Sequence, residues 1–243
     1  MAFGRGRSER ARSEAPPPPL PPEQVDWRGV RTFVLGMVWR PHTPEQPGNT
    51  FGDRAIRVPM GTEQHPVNVP CAYAGSDEET ASRVPGAAFT LYEDPAQERL
   101  LCSVMGPVKD GRTLSYEVRD TAGDPLGTLH RIAGNRFTRH TWRIEQPGHP
   151  PVNGVGELAS RSSVGYRAAV VAMRLLDALP EAEGGQKPKK YRTLVWQAGE
   201  EEVMLSEASK KMTITADWLD RRLAFAFPLI GDDDKPRHGA ATS

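Results

Sequence analysis

Downstream of residue 84 the chain alternates between apolar and polar positions in short runs, each closed by Gly, Pro or Asp. Leu114, Tyr116 and Val118 alternate with Ser115, Glu117 and Arg119, and His140, Trp142 and Ile144 alternate with Thr141, Arg143 and Glu145. A period of two marks a half-buried strand. Strands are therefore expected over 87–92, 100–105, 114–118, 126–132, 140–145, 152–158, 191–197, 203–206 and 211–215, with turn chemistry over 120–125. Upstream, the apolar run 31–40 reads as a buried strand, although periodicity alone leaves a helix open. Residues 41–83 are loop-rich and carry Pro41, Pro44, Pro47, Pro59, Pro66 and Pro70. The pairs Ile56/Val58 and Val67/Val69 suggest two short edge strands there, where proline is tolerated.

Two stretches break the rhythm. Tyr166, Val170, Met173 and Leu176 fall at helical spacing, so an amphipathic helix is expected over 163–179, stopped by Pro180. The second stretch is 217–230. Asp217 is its expected N-cap, with Asp220 in the first turn. Beyond Arg222 the polar face disappears, and Leu223, Ala224, Phe225, Ala226, Phe227, Leu229 and Ile230 point in every direction around a helix. Such a helix is enclosed on all sides, and this one is too short for a bilayer, which needs roughly 20 residues. Pro228 suggests that it ends near Phe227. Trp218, Leu219, Leu223, Phe225 and Phe227 are the expected structural centre. Many antiparallel strands followed by one wholly apolar helix predict a mainly β fold. The expected form is a closed antiparallel β-barrel around a buried C-terminal helix, which also removes the sheet's edges.

The 243 residues suit one large domain, expected over 27–231 with its regular part over 84–231. Residues 1–26 and 232–243 read as disordered tails. The first holds Arg5, Arg7, Arg10 and Arg12, then Pro16-Pro17-Pro18-Pro19-Leu20-Pro21-Pro22, a run that favours polyproline II and carries PxxP spacing. Lys plus Arg equals Asp plus Glu at 31 each, which argues against a dedicated nucleic-acid binder. Cys71 and Cys102 fit neither a disulfide framework nor a thiolate zinc site. No apolar segment follows the basic N-terminal residues, so no signal peptide is read and a cytoplasmic location is expected.

Catalytic signatures are lacking. The histidines show no HExxH or His/Cys ligand spacing, and no GxSxG or P-loop is present. Gly154-x-Gly156-x-x-Ala159 resembles a dinucleotide turn only in outline, and the glycines are expected at a bulge in a curled strand. No cofactor, no metal and no enzymatic activity are expected.

The hairpin Tyr116-Glu117-Val118-Arg119-Asp120-x-x-Gly123-x-x-Leu126-Gly127-x-Leu129 is followed by the strand Trp142-Arg143-Ile144. Near the end of the sequence, Asp220-Arg221-Arg222-Leu223-Ala224-Phe225-Ala226 opens an apolar helix. This combination resembles the tubby C-terminal-like superfamily, in particular its LURP-one-related and phospholipid-scramblase-like branches. The resemblance implies a barrel of about a dozen strands around a central helix, and a binding role toward phosphoinositides or other apolar ligands. The cysteine cluster and calcium-binding segment of scramblase-like proteins have no counterpart. Asp232-Asp233-Asp234 lies beyond the helix without EF-type spacing, so scrambling and calcium dependence do not carry over.

One cluster suits an anionic headgroup: Lys187, Lys189, Lys190 and Arg192, with Lys210 and Lys211 further along. The leading expectation is a non-enzymatic binding module for an anionic lipid headgroup or small apolar ligand, cytoplasmic and peripheral at a membrane. The alternative is an interaction or scaffold module that recruits a protein partner through Pro16–Pro22.

Overall fold

The computed structural model describes residues 24–40, 50–62, 65–75, 77–134, 140–156, 192–207 and 210–231. The Pro16–Pro22 run, the expected 163–179 helix, Lys187, Lys189, Lys190 and Asp232–Asp234 lie outside the described residues.

The strands are β1 (Thr32–Arg40), β2 (Thr50–Thr62), β3 (His65–Ala74), β4 (Ala87–Tyr92), β5 (Leu100–Met105), β6 (Val108–Asp110), β7 (Thr113–Arg119), β8 (Pro125–Ile132), β9 (Thr141–Glu145), β10 (Val152–Gly156), β11 (Thr193–Ala198), β12 (Glu201–Glu207) and β13 (Lys211–Ile214). Two helices are described, α1 (Asp77–Arg83) and α2 (Arg221–Ile230), with a 3-10 turn at Trp27–Gly29 ahead of β1. The strands form one antiparallel sheet in the order β5-β4-β3-β2-β1-β13-β12-β11-β10-β9-β8-β7-β6. Pairing of Ser103 with Arg119 and of Val104 with Val118 joins β5 to β7. That joint closes twelve strands into a barrel, and β6 remains as a short extension on β7.

The alternation read from the sequence is the wall's two faces. Tyr116, Val118, Leu129, Trp142 and Ile144 are buried, while their neighbours in the chain are partly or fully exposed. The β7–β8 turn is locally determined. The Asp120 carboxylate accepts the N–H groups of Ala122 and Asp124 at 2.9 Å each, and Gly123 supplies the positive φ of 89°.

Several expectations are corrected. β2 and β3 are long strands, and β2 is no edge, since it pairs with β1 on one side and β3 on the other. Their prolines are accommodated because the hairpin runs past its neighbours. In β2 the β1 partners reach only as far as Arg57, and β4 pairs with β3 only at Tyr73 and Ala74. Pro59, Pro66 and Pro70 thus lie where one flank of each strand has no ladder to supply. α1 and β6 were not anticipated. α1 is a short polar sequence lying against β4, where Thr80 and Thr90 join hydroxyls at 2.7 Å in a buried contact. β6 is three exposed residues without a periodic signature. Gly154 sits in register between Trp142 and Trp196, not at a bulge. A Cβ there would lie 3.2 Å from the Trp196 ring, so the glycine makes room for the indole.

α2 begins three residues later than the sequence suggested. Asp220, in extended conformation, accepts the Arg222 N–H at 2.9 Å and is the N-cap, while Asp217 pairs with Arg31. The helix also continues through Pro228. The proline removes one donor, and the Gly231 N–H returns to the Phe227 carbonyl at 3.0 Å to finish the last turn. From Leu223 to Ile230 every residue is buried. Phe225 meets Phe33 of β1 edge-on at 4.8 Å between ring centroids. Phe227 meets Trp142 of β9 at 5.1 Å and Trp196 of β11 at 4.8 Å, again edge-on. Leu223 packs so closely on β8 that a Cβ on Gly127 would fall 3.0 Å from it. The helix therefore touches widely separated parts of the wall and forms one core with them.

Candidate functional site

Antiparallel order sorts the connections to the two ends of the barrel. The β4–β5, β7–β8, β9–β10 and β11–β12 turns lie at one end with the Asp220 cap, and may be called the cap end. The β6–β7, β8–β9, β10–β11 and β12–β13 connections lie at the far end.

Of the basic cluster read from the sequence, Arg192, Lys210 and Lys211 are described, and all three lie at the far end. Thr193 pairs with Glu207 and Glu207 with Lys211, so Arg192 and Lys211 flank a single intervening strand. Glu207 moderates the cluster, accepting an ion pair from Lys211 Nζ at 3.2 Å. The Arg192 guanidinium donates to the His140 carbonyl at 2.7 Å and ties β11 to the start of β9. Two residues that the sequence reading did not select stand nearby. Arg131 takes an inward position on β8 and is 9% exposed, and His140 is 8% exposed. The signal for Arg131 was legible: it occupies the apolar half of the Gly127, Leu129, Arg131 alternation. Burial raises the pKa of the neighbouring Tyr116 phenol, and the Arg131 charge opposes that rise.

The same end carries Lys109 and Arg112 on the β6–β7 hairpin, with Arg112 donating to the carbonyls of Ala133 (3.1 Å) and Gly134. Beside them Val108 is 69% exposed, and on β1 Met37 is 48% exposed, an apolar accent on a basic rim.

The cap end has the opposite character. Glu98, Asp124, Glu200, Glu201 and Asp217 are exposed on its loops. Burial there pushes the Glu202 carboxyl pKa up. Asp220 and Arg222 pair at 2.7 Å, the Arg222 guanidinium lies 5.6 Å from the Trp27 ring, and the Trp27 indole donates to Glu93 at 2.9 Å. Among the described residues, basic side chains thus stand out at the far end, while the cap-end acids are interspersed with Arg28, Arg31 and Arg99.

Across the outer face, Ser115 Oγ lies 2.9 Å from His130 Nδ1, and His130 Nε2 lies 3.4 Å from Glu145 without hydrogen-bond alignment. Arg143 joins Glu145 at 3.5 Å and Asn153 at 3.1 Å. The result is a polar ladder across four strands, built from cross-strand neighbours. Cys71 and Cys102 are buried free thiols, each with its pKa pushed up to about 12 by burial. Among the described residues no group of three His, Cys, Asp or Glu side chains is arranged to hold a metal ion. No helix among them is long and apolar enough to cross a membrane. Comparison with protein-family models, with curated proteins and with solved structures gives no match.

Proposed function

We propose that this chain is a non-enzymatic, tubby-like binding module in which α2 fills the barrel, and that its basic far rim holds an anionic headgroup. Burial of every residue from Leu223 to Ile230, with ring contacts to β1, β9 and β11, supports a helix enclosed by the wall. The observation that carries the ligand reading is the placement of Arg192, Lys210 and Lys211 at one end of neighbouring strands, with buried Arg131 and His140 at the same end. Cations grouped on a rigid wall attract an anion without reorganising. Exposed Met37 on β1, the strand paired with β13, suits the apolar part of a lipid.

The test is co-sedimentation with neutral and anionic vesicles at low and physiological salt. Binding to anionic vesicles, weakened by salt and by the double variant Lys210→Glu/Lys211→Glu, is the expected result. Absence of binding at low salt would sink the lipid reading.

A further inference from the structure

Three strands of the outer face bring together a hydroxyl, an imidazole and a carboxylate that the basic rim does not use. The register sets Val108, Ser115, His130, Arg143 and Asn153 side by side on β6 to β10, with Glu145 two residues beyond Arg143 on the same face. Ser115 Oγ lies 2.9 Å from His130 Nδ1, and Glu145 Oε2 lies 3.4 Å from His130 Nε2. The carboxylate decides which nitrogen carries the proton. A proton on Nε2 faces the negative charge, whereas a bare Nε2 would set its lone pair against it. Nδ1 is thereby left to accept the Ser115 hydroxyl. Nε2 is buried without an aligned partner, so the carboxylate acts on it through charge and not through a formed hydrogen bond. Glu145 is itself held by Arg143 at 3.5 Å, and Arg143 by Asn153 at 3.1 Å. A nucleophile within reach of a base that a third group orients is the arrangement of an activated serine, recognised by geometry and not by sequence position.

We propose that Ser115 is an activated nucleophile that takes an acyl group from a carboxylic thioester, with His130 as its base and Glu145 as the residue that positions the base. Ser115 Oγ bonds to the carbonyl carbon while its proton passes to His130 Nδ1. The carbon–sulfur bond then breaks, and the departing thiolate takes that proton from Nδ1. The products are a Ser115 ester and a free thiol, with nothing oxidised or reduced. At Ser115, β7 is paired with β6 on one side and β8 on the other, so its N–H groups serve the ladders and not a developing oxyanion. The donor must therefore bring its own activation, which a thiolate leaving group supplies. For the same reason the step is slow and occurs once per chain, a modification of the wall and not a turnover. Val108, the β6 partner of Ser115, is 69% exposed and offers an aliphatic acyl chain an apolar surface. The inference stands independently of the headgroup reading, whose cations Arg192, Lys210 and Lys211 belong to other strands.

The experiment incubates the full chain with S-butyryl-N-acetylcysteamine, a plain thioester, and follows intact mass and peptide maps. The expected result is one butyryl group per chain, mapped to Ser115 and absent from Ser115→Ala. In His130→Gln it should form on the order of a hundredfold more slowly. Glu145→Gln should slow the step without lowering Tm. Nitrogen NMR should show neutral His130 protonated at Nε2 in the parent chain and as a mixture of tautomers in Glu145→Gln. Thermal denaturation confirms that each variant is folded. Butyryl groups confined to lysines, equal labelling of Ser115 in His130→Gln, or a neutral ring protonated at Nδ1 in the parent chain would each overturn the proposal.

Discussion

Phe227→Ala tests whether α2 and the wall share one core. The ring is fully buried and meets two indoles edge-on, Trp142 at 5.1 Å and Trp196 at 4.8 Å. Truncating a buried phenylalanine to alanine costs about 3–5 kcal/mol, because transfer energy and the unfilled cavity add. Each edge-to-face pair accounts for about 0.5–1.5 kcal/mol of that loss. For a domain of this size a loss of 1 kcal/mol lowers Tm by about 2–4 °C, so a drop of about 6–20 °C is expected. Urea unfolding followed by tryptophan fluorescence is the assay, since both partner rings are reporters. A double-mutant cycle with Trp196→Leu should return a coupling of about 0.5–1.5 kcal/mol. A loss below about 1 kcal/mol, or no coupling, would show that the helix does not pack against β9 and β11 and would refute the shared core.

Other outcomes follow from single contacts. Gly127→Ala would set its Cβ 2.4 Å from the Glu145 carbonyl oxygen and 3.0 Å from Leu223, so thermal denaturation should register a loss larger than that for Gly154→Ala, whose new Cβ meets only side chains at 3.2 Å or more. Asp220→Ala removes the helix cap and strands the half-buried Arg222, and a stability loss of about 1–2 kcal/mol is expected from the cap alone. Burial works against the Asp94 carboxylate, but the N–H groups of Arg99 and Glu98 and the Arg99 guanidinium outweigh it and hold its pKa below the usual value. Because the folded pKa is the lower one, this stabilisation is complete above the ordinary aspartate pKa of about 3.9 and fades as pH falls through the folded value. Asp94→Asn should therefore flatten the acid limb of the stability profile. Cys71 and Cys102, buried and with pKa values near 12, should resist a thiol reagent at pH 8 (Ellman's reagent, for example) until the chain is unfolded.

Period-two alternation located β7, β8, β9 and β13 because one face of each strand is buried and the other is wetter, whereas β4 and β5, short apolar runs divided by turn residues, are buried on both faces along most of their length. It underestimated β2 and β3, where prolines argue for loops. Only the tertiary arrangement reveals that the hairpin outruns its neighbours. The helix was legible from its lack of any polar face, but its start was not. Asp217 and Asp220 are both good caps in sequence, and the choice is made by Arg31, which takes Asp217, and by Gln146, which accepts the Asp220 N–H at 2.9 Å. Among the rim residues, Arg192, Lys210 and Lys211 could be named from charge alone. Their grouping depends on the β11–β12–β13 register, and His140 joins them through a backbone carbonyl that no side-chain pattern encodes.

The joint between β1 and β13 has a consequence for how the chain is made. Phe33 pairs with Met212 and Val34 with Lys211, residues near opposite ends of the described sequence. A ribosome must therefore release almost the entire wall before that seam can form, and α2 emerges later still. Until then β1 is without its β13 partner, and the side chains that pack on α2 are uncovered. Partners of high sequence separation meet slowly, and unpaired strands with uncovered apolar surface are prone to aggregate. Assembly is thus committed by the final residues translated before Gly231, and a polypeptide truncated before Arg221 would leave Phe33, Trp142 and Trp196 without the α2 rings that pack on them.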